Sequence, residues 1–278
     1  MSKVEYTRSK RLRLARPCNI PAKIGETMTC KLCQEDKPLC DSHIISECFY
    51  ESIYDKKHRI LPISLTNHNR LEFEQKGFRE ELLCSECEGR LSKWESKLKK
   101  DFVDIGNESS NFLSIIKVRK DILKVSNIRY DYFKRGILSL VWRLSVSSNP
   151  FYNKYKLGLY EDKLRKMLLS DKDIPELAFP IMISKCKLDD KYFPDIIMTF
   201  PPGKVDKIVT VQKFIIWGIL VSILVDDRDR INGIRTSNLR SSGELFVTET
   251  QLTEFAHPKS VIGRLFDQDV ELMHKKMQ

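Results

Sequence analysis

Four of the eight cysteines fall in two Cys-x-x-Cys pairs, Cys30/Cys33 and Cys84/Cys87. Each pair offers two thiolates at a spacing that matches one edge of a tetrahedron, and two such pairs close a structural zinc site. The spacing therefore predicts one Zn2+ held by all four. Cys18, Cys40, Cys48 and Cys186 are left over and read as small buried hydrophobes, although Cys40 lies near enough to the first pair to compete for the metal. Between the pairs, residues 40–46 read CDSHIIS. A histidine beside acidic and hydroxyl groups, just ahead of two isoleucines, suits a short strand that holds an imidazole rigidly, as a general base requires. Strand alternation puts Asp41 on the same side as His43, where its carboxylate could orient the imidazole or help bind a second, catalytic cation. Glu88 follows Cys87 directly, so a zinc-pinned helix start would aim its carboxylate outward as an oxygen ligand for Mg2+ or Mn2+. Lys76, Arg79 and Arg90 flank these groups and could hold phosphate oxygens. Each residue also has a plain structural use: His43 as a hydrogen-bonded packing group, His58 as a surface residue, Glu88 as a favourable acid in a first helical turn.

These groups need elements to position them. In the run REELLCSECEGRLSKWESKLKKDFVDI, starting at Arg79, the residues Leu83, Leu91, Trp94, Leu98 and Phe102 recur close to every 3.6 positions. The second cysteine pair is thereby placed at the start of a long amphipathic helix. Residues 106–110 (GNESS) form a turn and a candidate hinge. A helix is expected over 132–147, with Phe133, Ile137, Leu140, Val141 and Leu144 inward, and another over 160–169. Beyond Pro175, β-branched and aromatic runs bounded by Pro, Gly and Asp predict strands. The expected division is a basic arm (1–27), a small metal-dependent module (28–105) with too little apolar material for a conventional core of its own, and an α+β C-terminal domain (111–278).

Composition narrows the function class. Hydrophobic residues make up 41% and charged residues 31% of 278, which excludes wholesale disorder and a disulfide miniprotein. Lys plus Arg (48) exceeds Asp plus Glu (38), a net charge of +10 that favours an anionic partner such as nucleic acid. Two segments concentrate it: the arm, with seven cations against two acids, and residues 117–135, with seven against Asp121 and Asp131. Both are expected to supply affinity for phosphate that is independent of base sequence. The longest apolar stretch, residues 214–225, is 12 residues, short of the roughly 20 that a membrane span needs. With a polar, basic start and sparse cysteines, a reducing, cytoplasmic location is expected, with no membrane partner.

Knuckle cysteines, then SHIIS around His43, then LLCSECE opening a helix resemble the HNH endonuclease family, with its ββα-metal core in a zinc-bearing treble clef. YDKKHR, QKGFREELLCSECE and, downstream, ILSLVWRLSVSS with LGLYEDKLRKMLL resemble bacterial HNH-like proteins suspected of serving in phage defence. The HNH part of the resemblance covers about residues 28–102; the similarity beyond it is diffuse and carries no named activity. It implies that His43 is the general base, that Glu88 stands where the family has a His or Asn ligand to the catalytic cation, and that the substrate is a phosphodiester, with double-stranded DNA the expected partner. It also departs from the pattern: Ser42 occupies the place before the base that is often acidic or His, Ser46 stands where Pro is frequent, and the middle residue could be Asn67, His68 or Asn69. The implied fold is α+β, a small zinc-stabilised ββα-metal module followed by a mixed helix and strand domain, through which a protein partner could act. The alternative is a zinc-stabilised module that binds nucleic acid or protein without cleaving.

Overall fold

The computed structural model describes residues 28–51, 53–60, 74–188, 191–205, 209–226 and 238–255. The basic arm and the trio Asn67, His68 and Asn69 lie outside these residues. Short strands β1 (Met28–Thr29) and β2 (Asp36–Lys37) pair across the first cysteine turn, and β3 (Leu39–His43) leads into a one-turn helix α1 (Glu47–Tyr50). Then come β4 (Arg59–Ile60), β5 (Glu74–Gln75), β6 (Arg79–Cys84) and the long helix α2 (Ser85–Gly106). The expected helix thus begins at Ser85, and the residues before it extend as β6, antiparallel to β3, with a bulge between Cys40 and Asp41.

The remainder is β7 (Ser114–Arg119), β8 (Ile122–Ser126), α3 (Tyr130–Val146), α4 (Tyr160–Leu169), β9 (Ile181–Leu188), β10 (Lys191–Tyr192), β11 (Ile197–Val205), β12 (Val209–Ile216), β13 (Ile219–Val225) and β14 (Leu245–Gln251). These strands form one sheet in the order β11, β12, β13, β9, β14, β8, β7, with β10 paired to β9. All neighbours run antiparallel except β14 and β9. The architecture is mixed α+β. The apolar run 214–225 is folded in two at Trp217 and Gly218, whose φ angles of 54° and 64° are both positive, as a tight hairpin turn demands. A Cβ on Gly218 would sit 2.4 Å from the Phe193 carbonyl oxygen, so glycine is required there.

Helices α2 and α3 pack antiparallel. Phe102 meets Phe133 with ring centroids 5.8 Å apart, and a Cβ on Gly136 would lie 3.1 Å from both the Leu98 Cβ and the Trp94 carbonyl oxygen. That close approach brings Ser139 and Arg143 against the first half of α2. Buried residues on both sides of the 106–110 turn, from Leu32 and Phe49 through Leu91 and Trp142 to Val247, belong to a single apolar cluster. The N-terminal segment therefore does have a core, one it shares with α3 and the sheet: the Trp217 indole N–H donates to the Phe49 carbonyl at 2.9 Å. The 106–110 turn is likewise tied down, with Glu108 ion-paired to Lys185 at 2.6 Å.

Residues 117–135 do not form one basic face. Lys134 and Arg135 are buried, Lys134 donating to the Pro175 and Glu176 carbonyls and Arg135 to those of Met167 and Lys172. Lys124 pairs with Glu244 at 2.6 Å, and the Arg129 guanidinium stacks on Tyr132. Lys117, Arg119 and Lys120, at the end of the β7–β8 hairpin, are exposed. Among the described residues no helix is long and apolar enough to cross a membrane.

Candidate metal centre and the buried network beside it

Cys30 and Cys33 lie in a turn closed by the Gln34 N–H on the Cys30 carbonyl, with Gln34 at a positive φ of 65°; Cys84 ends β6 and Cys87 sits in the first turn of α2. Their four Sγ atoms lie within 4.8 Å of one another, Cys33 and Cys84 at 3.9 Å. Zinc–sulfur bonds of about 2.3 Å in a tetrahedron set sulfurs about 3.8 Å apart, so the set fits zinc. The Cys84 backbone N–H points at the Cys30 sulfur at 3.3 Å. The Cys87 thiol and this N–H together hold the Cys30 thiol far below its ordinary range, and Cys30 in turn raises that of Cys87. Four sulfurs that converge on one point, with a backbone N–H directed at one of them, are the donor set a cation completes. Among the described residues this is the one group of three or more His, Cys, Asp or Glu side chains able to hold an ion. Cys40, although buried, is not part of it.

His43 closes β3 opposite Arg79 and is 8% exposed. Its Nε2 lies 3.0 Å from the Lys76 carbonyl oxygen. Because a carbonyl only accepts, Nε2 carries the proton and Nδ1 the lone pair. The carbonyl is presented by a turn in which Lys76 and Gly77 have φ of 63° and 75°, packed so closely on Tyr50 that a Cβ on Gly77 would be 2.7 Å from its ring. Burial lowers the imidazole pKa below its ordinary value, Arg79 adds to the effect, and Glu47 and Glu88 oppose it.

Asp41 does not orient this imidazole. Its carboxylate is ion-paired to the Arg79 guanidinium at 3.1 Å, and the same guanidinium donates to the Asp41 carbonyl at 3.2 Å. The two predicted site residues are thereby paired with each other across the β3–β6 ladder. Arg90 is also engaged, donating to the Leu169 carbonyl at 2.8 Å, where it caps α4. Of the three flanking cations, Lys76 is the exposed one.

Glu88 meets a residue that pattern reading passed over. Its Oε1 lies 3.3 Å from Nη2 of Arg143, and its Oε2 is buried without a hydrogen-bond partner. Arg143, with a side chain 0% exposed, also donates from Nη1 to the His43 carbonyl at 2.7 Å and lies 3.4 Å from Oε1 of Glu95. Ser139 donates to that same Glu95 oxygen at 3.2 Å. Burial pushes the Glu95 carboxyl upward against the pull of Arg143. One guanidinium thus joins the end of the histidine strand to two carboxylates of α2. A signal for it stood in the sequence: Arg143 lies in ILSLVWRLSV, a helix apolar on all sides, where a cation must find buried acids. No family model, curated protein or solved structure matches the chain.

Proposed function

We propose that the chain is a divalent-metal-dependent HNH-type endonuclease that hydrolyses phosphodiester bonds in DNA. The observation that supports it best is His43, held at the end of β3 with Nε2 donating to a backbone carbonyl and its basic Nδ1 outside that bond, on the strand paired to the one that runs through the cysteine cluster into Glu88. In this reading β3, β6 and α2 are the ββα unit, and zinc on Cys30, Cys33, Cys84 and Cys87 locks its corner.

His43 takes the proton of an attacking water on Nδ1, its lowered pKa keeping that nitrogen unprotonated near neutral pH. The Lys76 carbonyl fixes the tautomer and stabilises the imidazolium formed. Glu88, with Oε2 unpartnered, is the residue that would hold Mg2+ or Mn2+; Asp41, paired to Arg79, is not assigned this role. When bound, such a cation supplies Lewis-acid stabilisation of the phosphate and of the leaving oxygen. Lys117, Arg119 and Lys120, with the arm, supply affinity for the phosphate backbone.

The burial of His43 and the lack of a second three-ligand group among the described residues favour one other reading, a zinc-stabilised binding module without cleavage. Incubating purified protein with plasmid DNA and with structured RNA, with and without Mg2+ or Mn2+, separates the two. Nicking of DNA by wild type and not by His43→Ala is the expected result; binding without cleavage under every metal selects the second reading, and cleavage of RNA alone changes the substrate. The proposed biological setting, a bacterial anti-phage effector, rests on the family resemblance. It is tested by phage plating on cells expressing wild type or His43→Ala.

A further inference from the structure

We propose that Arg143, contributed by α3 from outside the ββα unit, is the positioning residue that presents Glu88 to the divalent cation and fixes the end of the His43 strand. The inference rests on the cation-binding half of the function proposed above and not on cleavage. A carboxylate in a first helical turn ordinarily swings freely in solvent. Here Arg143 takes Oε1 of Glu88 and leaves Oε2 as a buried acceptor with no partner. The same guanidinium grips the His43 carbonyl at 2.7 Å, so the two groups the reaction needs share one support. The support is itself buried between the two helices. Gly136 lets α3 approach α2 closely, Ser139 and Glu95 share a hydrogen bond, and Arg143 lies one helical turn further on, against Glu88 and Glu95. Glu88 and Glu95 share this guanidinium through Oε1 of each, which leaves Oε2 of Glu88 as the unsatisfied oxygen donor that a hard cation takes. A lysine would keep the charge and lose the fork that reaches the His43 carbonyl and the carboxylates together.

The test is Mn2+ binding to the full-length, zinc-loaded chain without nucleic acid, read from the loss of the free-ion paramagnetic resonance signal. The variants are Glu88→Gln, Arg143→Lys, Arg143→Met and the double variant Arg143→Met/Glu95→Gln, which keeps the buried charge balanced if the single methionine variant fails to fold. Glu88→Gln should abolish the site. Removing Arg143 should weaken Mn2+ affinity by roughly 10–100-fold, the usual effect of losing a residue that orients a ligand, with zinc content unchanged. Arg143→Lys should recover part of the loss. Wild-type Mn2+ affinity in a folded, zinc-replete double variant overturns the proposal, as does binding indifferent to Glu88→Gln or absent from wild type. If binding follows the expected order while DNA stays intact, the nuclease reading fails and Arg143 keeps its assignment.

Discussion

Replacing Cys84 by serine removes one sulfur from the cluster and the residue at which β6 becomes α2. Ordering residues 30–35 costs on the order of 6–12 kcal/mol at roughly 1–2 kcal/mol each. Against this stand the hydrogen bonds Cys30 N–H to Glu35, Lys31 N–H to Leu82, Gln34 N–H to Cys30 and the Gln34 side chain to Lys31. These contribute about 1 kcal/mol apiece, and full burial of Leu32 adds about 2 kcal/mol. The favourable side, about 6 kcal/mol, at best equals the cost and falls short of it by up to about 6 kcal/mol, so a metal worth roughly 10–16 kcal/mol decides whether the knuckle is folded. Losing even about 5 kcal/mol of that multiplies the open population by about 10³–10⁴. Amide hydrogen exchange read by mass spectrometry, with zinc measured by elemental analysis, should show protection collapsing over 30–35 and 82–90 in Cys84→Ser or after chelation. The strands β9 and β12–β14, whose pairing involves none of the four cysteines, should keep theirs. A zinc-free wild type with a protected knuckle would refute the reasoning, and so would Cys84→Ser with unchanged exchange.

His43→Ala should lower metal-dependent cleavage by roughly 10²–10⁴-fold with zinc content unaltered, since the base belongs to neither cysteine pair. Glu88→Gln should instead be partly rescued by raising Mn2+. Because the His43 pKa is lowered in the folded state, the unfolded chain binds the extra proton. The stability contribution of His43 is therefore full above the ordinary value of 6.5 and is lost as pH falls towards the folded pKa; thermal unfolding of wild type against His43→Gln over pH 5–8 checks the sign. Neutralising Lys117, Arg119 and Lys120 should flatten the log–log salt dependence of DNA binding by roughly 0.9 for each phosphate that no longer meets a cation, and deleting residues 1–16 should flatten it further; an unchanged slope removes both from the interface. Gly136→Val should cost about 1–3 kcal/mol in a denaturant titration, because its side chain must part α2 from α3 where a bare Cβ already meets Leu98 at 3.1 Å.

Local spacing carried much of this protein into view. Two Cys-x-x-Cys pairs name their own cluster, because two residues of a tight turn set the sulfur separation whatever surrounds them. The inward faces of α2 and α3 follow from a 3.6-residue period, and the strands beyond Pro175 from β-branched runs cut by Pro and Gly. Charge was less legible. Arg79 and Asp41 are 38 positions apart, and only the β3–β6 register makes them partners. Lys134 and Arg135 looked like surface cations until carbonyls from residues 167–176 closed over them, since long-range burial is invisible to a local pattern. Arg143 is the sharpest case. Its hydrogen bond to the His43 carbonyl spans 100 residues, and it exists because Gly136 draws two helices together and so aims one buried cation at both halves of the candidate site. Sequence determined which residues could do chemistry; the packing of α3 on α2 decided which of them meet, because a buried charge takes its partners from whatever the fold brings within a few ångströms.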